Sequence, residues 1–427
     1  LGSIPNPLTQ DRFKQAKKNE QEMNPGSKSE TGNSASFIFH LCDMPLELLI
    51  VILEMACETC VANVNRQLKT MCNLEIAEQY KAWTLGLSHL EYARMLAGMQ
   101  RRHVEQLHVL RVAREIPTGA FRLCREICLN KLPKQVTIIG AHAFKECQAL
   151  THIDLASGII IGDYAFAQCH ALTTVNFANG ISIGSDAFYN CSALAYLKFA
   201  GGMTIGASAF AGCSALTHLK FASGISIGVS AFYNCSALTH LKFASGISIG
   251  VSAFYNCSAL THLKFAGGMT IGASAFADCS ALTHLRLPGG MTIGVSAFAG
   301  CSALTHLRLP DDVILSNAAF AHCIALTQLT LADGISIGSQ AFAGCSALTD
   351  VEFASNVTIE DYAFRDCSAL THLKFASGMS IGCFAFQRCD SLTDVMFASG
   401  ISIDYYAFRG CQALRGVEFA NGISFAS

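Results

Sequence analysis

The sequence predicts an α+β fold: a solenoid of about fourteen rungs, built from parallel β-strands and short helical turns, behind a small all-α domain. Three observations carry this. The string Ala-Phe-x-x-Cys recurs thirteen times between Ala143 and Cys411, every 22 residues and without a slip. Residues 213–234 and 235–256 are identical, both reading CSALTHLKFASGISIGVSAFYN. Upstream, residues 37–115 lack that period and instead carry apolar residues at three- and four-residue steps, with few glycines. A strict short period means that each copy contacts mainly its neighbours and buries its apolar face by stacking on them.

Taken in order, residues 1–36 are polar, rich in Lys, Asn, Ser, Glu and Gln, and read as a disordered leader. The opening Leu1-Gly2-Ser3, with no initiating methionine, reads as a protease scar and leaves a preceding signal peptide open. Residues 37–75 form the first helical module. Pro45 sits where a helix can begin, because its missing N–H costs nothing in the first turn. Residues 76–115 supply a helical connector, with Trp83, Leu87, Leu90, Met95, Leu96 and Met99 at helical steps as its core. Arg101, Arg102 and His103 form a solvated face. The array occupies residues 116–427.

Each unit reads as a set of columns. Leu150 heads a column that is leucine in all thirteen copies, followed by Ile153 and Leu155. That spacing, with polar residues between, predicts a short parallel strand facing the interior with its apolar side. The Gly158 column holds glycine in eleven copies and Asp312 and Asn356 in the other two, so a turn with positive φ is expected there. Ile159 and Ile161 predict a second short strand. Ala165-Phe166 begins a single helical turn that plugs the interior with a ring. Residues 117–139, with Ala120-Phe121-x-x-Cys124 and then Ile127, Leu132, Val136 and Ile138, read as a degenerate opening rung.

Composition excludes several classes of function. The net charge of −2 gives no global field for nucleic acid or an anionic membrane. The most apolar helical stretch, Leu46 to Ala62, carries Glu47, Glu54 and Glu58, so no transmembrane segment is expected. Of twenty cysteines, thirteen fill one repeat column as small apolar plugs, which favours reduced thiols and a cytosolic setting. Cys57 and Cys60 form a CxxC with no second pair, weak evidence for zinc. Asn190-Cys-Ser and Asn356-Val-Thr match a glycosylation pattern by chance, at packed or turning positions. No HExxH, P-loop, GxSxG or strand-following GxGxxG occurs. No catalytic residue, metal site or cofactor is expected.

The LxxLxL strands, the Ile-Gly turn and Ala-Phe-x-x-Cys together resemble the BspA-like, or Treponema-type, leucine-rich repeats over about 310 residues. The resemblance implies a leucine-rich-repeat solenoid and a role in adhesion or protein binding rather than catalysis. Members of that family are mostly cell-surface or secreted proteins. MPLELLIVIL followed by VNRQLKTMC is similar to an F-box. What that similarity implies is docking on the adaptor of an SCF-type ubiquitin ligase through Pro45, Leu46, Leu48, Leu49, Ile52 and Leu53, an apolar helical face entering a groove. The same module also fits a plain helical cap on the solenoid.

Outward columns of the first strand offer a binding face. His218, His240, His262, His284 and His306 lie two residues before Lys220, Lys242, Lys264, Arg286 and Arg308, and Lys198 precedes them. Between residues 195 and 310 the only acid is Asp278. Either recent duplication spread the charge, or the stripe holds an acidic target protein. Nucleic acid is disfavoured, because flanking rungs turn acidic at Asp350, Glu352, Asp394 and Glu418. Neutral histidines relieve such a stripe, so the column should titrate below the free value of about 6.5. The leading expectation is a substrate receptor of a ubiquitin ligase, in host cytosol if a bacterium secretes it as an effector. The alternative is an adhesin-like or structural protein-binding array, at the cell surface, with a helical cap.

Overall fold

A computed structural model describes residues 114–425, apart from 117, 124–130 and 133. The leader, the F-box-like segment with Pro45, Leu46, Leu48, Leu49, Ile52 and Leu53, and the helical connector up to residue 113 lie outside the described residues.

Alternation of apolar and polar side chains forces the first strand of each unit to turn one face inward. His240–Phe243 shows the pattern, with Leu241 and Phe243 buried and His240 and Lys242 exposed. Ten such strands, from His152–Leu155 to Asp350–Glu352, pair in parallel, each with the strand one unit away. Three more, His372–Phe375, Asp394–Phe397 and Gly416–Phe419, form a separate sheet. On a second wall, fifteen two-residue strands from Glu115–Ile116 to Ser424–Phe425 form one continuous parallel sheet. The Gly158 column turns between the two walls as expected. Its residues all have positive φ, including Asp312 at 60° and Asn356 at 58°.

The α+β assignment is overturned. Among the described residues there is no helix, and the solenoid is all-β. Ala-Phe-x-x-Cys forms consecutive β-turns instead of a helical turn. In one unit, Ala231 N–H donates to Gly228 O (3.4 Å) and Cys235 N–H to Phe232 O (3.3 Å). Ser230 and Asn234, third in each turn, have φ of 53° and 57°, as type II geometry requires. A right-handed helix admits neither. The turn backbone gains something a helix could not give it: Phe232 N–H reaches Ala253 O of the next rung at 2.7 Å. This makes a third hydrogen-bonded wall, satisfying backbone groups that would otherwise be buried unpaired.

Columns of like residues fill the interior. Phenylalanine rings stack from Phe121 through Phe144 and on to Phe408, with Phe232 and Phe254 centroids 5.0 Å apart. A second ring column crosses the first edge-on, as Phe221 meets Phe232 at 75°, a favoured aromatic arrangement. The opening rung is real, since Phe121 stacks on Phe144 at 5.1 Å. There Ile139, rather than Ile138, faces the core.

The cysteines are more than apolar plugs. Each thiol donates to the carbonyl oxygen of the phenylalanine one rung back, at 3.1 Å from Cys169 Sγ to Phe144 O and 3.4 Å from Cys235 Sγ to Phe210 O. Burial pushes the Cys213 and Cys345 thiols up to about 12.

Candidate protein-binding face

In-register parallel pairing carries the outward columns across neighbouring strands. His218, His240, His262, His284 and His306 are successive partners, as are Lys220, Lys242, Lys264, Arg286 and Arg308. All ten are exposed. The structure therefore brings every residue of the expected target-binding set onto one face. A groove of about 1690 Å³ runs over them, with Tyr196 and Lys198 at one end and Gln328 and Thr330 at the other.

The histidine rings are ordered by their neighbours. His218 and His240 stack with centroids 4.4 Å apart, and His240 and His262 at 4.2 Å. Each Nδ1 contacts the hydroxyl of the preceding threonine, at 2.9 Å for His240 with Thr239 and His262 with Thr261. Those hydroxyls are committed elsewhere as donors: Thr239 Oγ1 donates to Thr217 O (3.0 Å) and Thr261 Oγ1 to Thr239 O (3.2 Å). A hydroxyl has one hydrogen. With that hydrogen given to the carbonyl, each of these two hydroxyls accepts from its histidine, an arrangement that puts the proton of His240 and His262 on Nδ1 and leaves Nε2 as the free ring nitrogen. Sequence reasoning missed this threonine column, although the Thr-His pair repeats visibly.

His240 is held below its ordinary value, mainly by partial desolvation and then by His262 and His218 on either side. The direction agrees with the sequence expectation, but the adjacent histidines, rather than the lysines, supply the repulsion. Farther along the array the column meets acids. His372 Nε2 lies 3.1 Å from Asp394 Oδ2 while its Nδ1 contacts Thr371 at 3.0 Å.

Among the described residues no group of three or more His, Cys, Asp or Glu converges as metal ligands, and no helix is long and apolar enough to cross a membrane. The repeat, the Leu-Phe-Cys interior and the turn columns agree with the BspA-type leucine-rich-repeat region, which matches residues 114–235, 203–327 and 313–426. The chain belongs to this family. Solved structures similar to this leucine-rich-repeat chain include a leucine-rich-repeat protein from Bacteroides ovatus. It is 22% identical with a TM-score of 0.47, covering 73% of this chain and 77% of that one. A leucine-rich cell-surface protein from Faecalibacterium prausnitzii is 22% identical with a TM-score of 0.36, covering 68% and 87%. A leucine-rich-repeat protein of T. pallidum is 24% identical with a TM-score of 0.33, covering 40% and 79%. No curated protein matches the chain.

Proposed function

We propose that this leucine-rich-repeat chain is a protein-binding scaffold whose partner lies on the outer face of the His152–Glu352 sheet. The observation that carries the reading is the register: five exposed histidines and five exposed cations stand on consecutive strands over one groove. Like charges placed opposite one another on adjacent strands are destabilising, so the arrangement costs the free protein and is relieved by a partner. Ladders of like residues suit extended contact with another macromolecule and do not assemble the unlike groups of a catalytic centre. This is the adhesin-like alternative. The ubiquitin-ligase receptor would need the segment around Pro45 and Leu53, outside the described residues. Co-purification with an SCF adaptor, lost on Leu48→Asp with Leu49→Asp, would add that role.

The test is site-specific photo-cross-linking from the full chain. A probe at residue 240 should capture a partner, and one at Ser226 on the opposite wall should not. Equal capture from both positions, or from Ser226 alone, overturns the reading.

A further inference from the structure

The array already contains one example of what its histidines do with a carboxylate. His372 keeps Nδ1 on Thr371 and presents Nε2 to Asp394 of the next rung at 3.1 Å. The same Thr-His arrangement recurs at Thr217-His218, Thr239-His240, Thr261-His262, Thr283-His284 and Thr305-His306, with Nδ1 to hydroxyl distances of 2.9–3.0 Å. Here the neighbouring strands supply no acid. The groups facing His240 are His218, Lys220, Lys242, His262 and Lys264. Those facing His218 are Tyr196, Lys198, Lys220 and His240. His284 faces His262, Lys264, Arg286, His306 and Arg308, and His306 faces His284, Arg286, Arg308, Gln328 and Thr330.

We propose that the His218–His306 ladder binds the carboxylates of an acidic polypeptide segment by proton uptake, each engaged imidazole protonating at Nε2 and donating that proton to a carboxylate placed as Asp394 is placed against His372. The inference rests on the front face being the partner-binding face. A proton from solvent adds to the Nε2 lone pair, and no covalent bond of the partner changes. In the empty groove, stacked rings 4.2–4.4 Å apart resist charging together. A row of carboxylates removes that resistance, so binding and protonation favour one another by linkage. The lysine and arginine column supplies attraction throughout the histidine range. The histidines make that attraction sensitive to mild acid. Nucleic acid fits less well. The faces of His218, His240 and His262 are closed against each other, and Tyr196 is the one exposed tyrosine lining the groove for a base to stack on.

The experiment uses the full chain and a short fluorescein-labelled oligoglutamate, with an oligoglutamine peptide and an oligothymidylate as comparisons. Anisotropy gives affinity at about pH 7.5 and about pH 5.5, spanning the ordinary histidine range. Calorimetry in two buffers of different ionisation heat counts protons. We expect oligoglutamate to bind about tenfold tighter or more at the lower pH, with net proton uptake. In the triple variant His218→Gln, His240→Gln, His262→Gln the ratio of affinities at the two pH values should fall toward one, and proton uptake should fall with it. Oligoglutamate binding that is lost in Lys220→Glu with Lys242→Glu but does not change with pH sinks the proton coupling and leaves the binding face standing. Absence of binding at both pH values overturns the acidic-segment partner itself. Equal or tighter binding of oligothymidylate makes the face an unselective polyanion surface and overturns the proposal.

Discussion

Two glycine columns do different work, and substituting one member of each separates the reasons. Gly228 follows the second strand at an ordinary φ. A Cβ there would lie 2.7 Å from Gly206 C, 2.7 Å from Ile205 O and 2.8 Å from Gly206 O. These are backbone atoms, so no side-chain rotation relieves the clash. The backbone must shift instead, beside the 2.8 Å bond from Gly228 N–H to Ile205 O. Overpacking of this kind costs about 1–3 kcal/mol, and the loss of glycine freedom in the unfolded chain returns about 0.4–1 kcal/mol. Gly228→Ala should therefore lose about 1–2 kcal/mol. Ser316, Glu360 and Asp404 already carry a Cβ in this column, with bonds to the preceding rung of 3.0, 3.0 and 2.8 Å, so the array can accommodate one and the cost stays finite. Gly246 is the control. Its φ is +68°, a Cβ would meet nothing within 4 Å, and the same column holds Asn356 at 58°. Gly246→Asn should stay within about 0.5 kcal/mol of the parent. Urea unfolding followed by far-UV circular dichroism measures both. A Gly228→Ala midpoint at or above the parent's, or a larger loss for Gly246→Asn, would refute the argument.

Phe254 lies between Phe232 and Phe276, at 5.0 and 5.3 Å, so Phe254→Ala should lose about 3–5 kcal/mol, read as a drop in melting temperature exceeding that of Tyr255→Ala at the half-buried neighbouring position. Burial raises the Cys213, Cys235 and Cys345 thiols, so these residues should resist iodoacetamide in the native protein and alkylate only on unfolding; native labelling seen by peptide mass spectrometry would contradict the thiol ladder. His240 is depressed in the folded state. It therefore stabilises the fold above the unfolded histidine value of about 6.5, and that contribution is lost as pH falls through the folded value. The midpoint difference between the parent and His240→Gln should narrow or reverse in mild acid, and an NMR titration placing His240 at or above the free value would remove the premise.

Column reading recovered most of the architecture because a solenoid converts sequence period directly into space. The invariant leucines, the alternating strand residues and the Gly158 turn needed only the rules for one unit plus stacking. The helical turn failed because Ala-Phe-x-x-Cys satisfies a helix and a pair of β-turns equally well by apolar spacing. The deciding signal was one column to the left of cysteine. Asn190, Gly212, Asn234, Asn256, Asp278, Gly300 and Gly344 all have positive φ there, and their residue types announce a left-handed backbone. The thiol and threonine bonds were not legible, since each ends on a carbonyl of the preceding rung. Sequence shows that cysteine recurs, but not that a phenylalanine oxygen lies 3.1–3.5 Å from its sulfur. The shared face of the ten outward histidines and cations was legible because outward positions on in-register strands must form columns. Their threonine supports were not.

Duplication alone explains why residues 213–256 repeat the same charges, but copying of that unit does not account for the units at 279–300 and 301–322. At Leu287 and Leu309 the inner ring column has changed from phenylalanine to leucine, and Met291 and Val313 replace the isoleucine of the identical copies. These units have diverged at positions that packing constrains. These two units share the stretch CSALTHLRLP at 279–288 and 301–310, where the outward cation has changed residue, to Arg286 and Arg308, and kept its sign beside His284 and His306. Outward side chains have no core to satisfy, and they change to Gln328 and Thr330 at the end of the groove and to Asp350 and Glu352 beyond it. Substitution that swaps lysine for arginine while preserving a like-charge ladder, against its electrostatic cost, is what a bound anionic partner would impose. Charge-neutralising variants at 286 and 308 should therefore gain stability in the free protein while losing affinity for oligoglutamate. If Arg286→Gln with Arg308→Gln leaves stability unchanged or lower and binding intact, the ladder is a by-product of duplication.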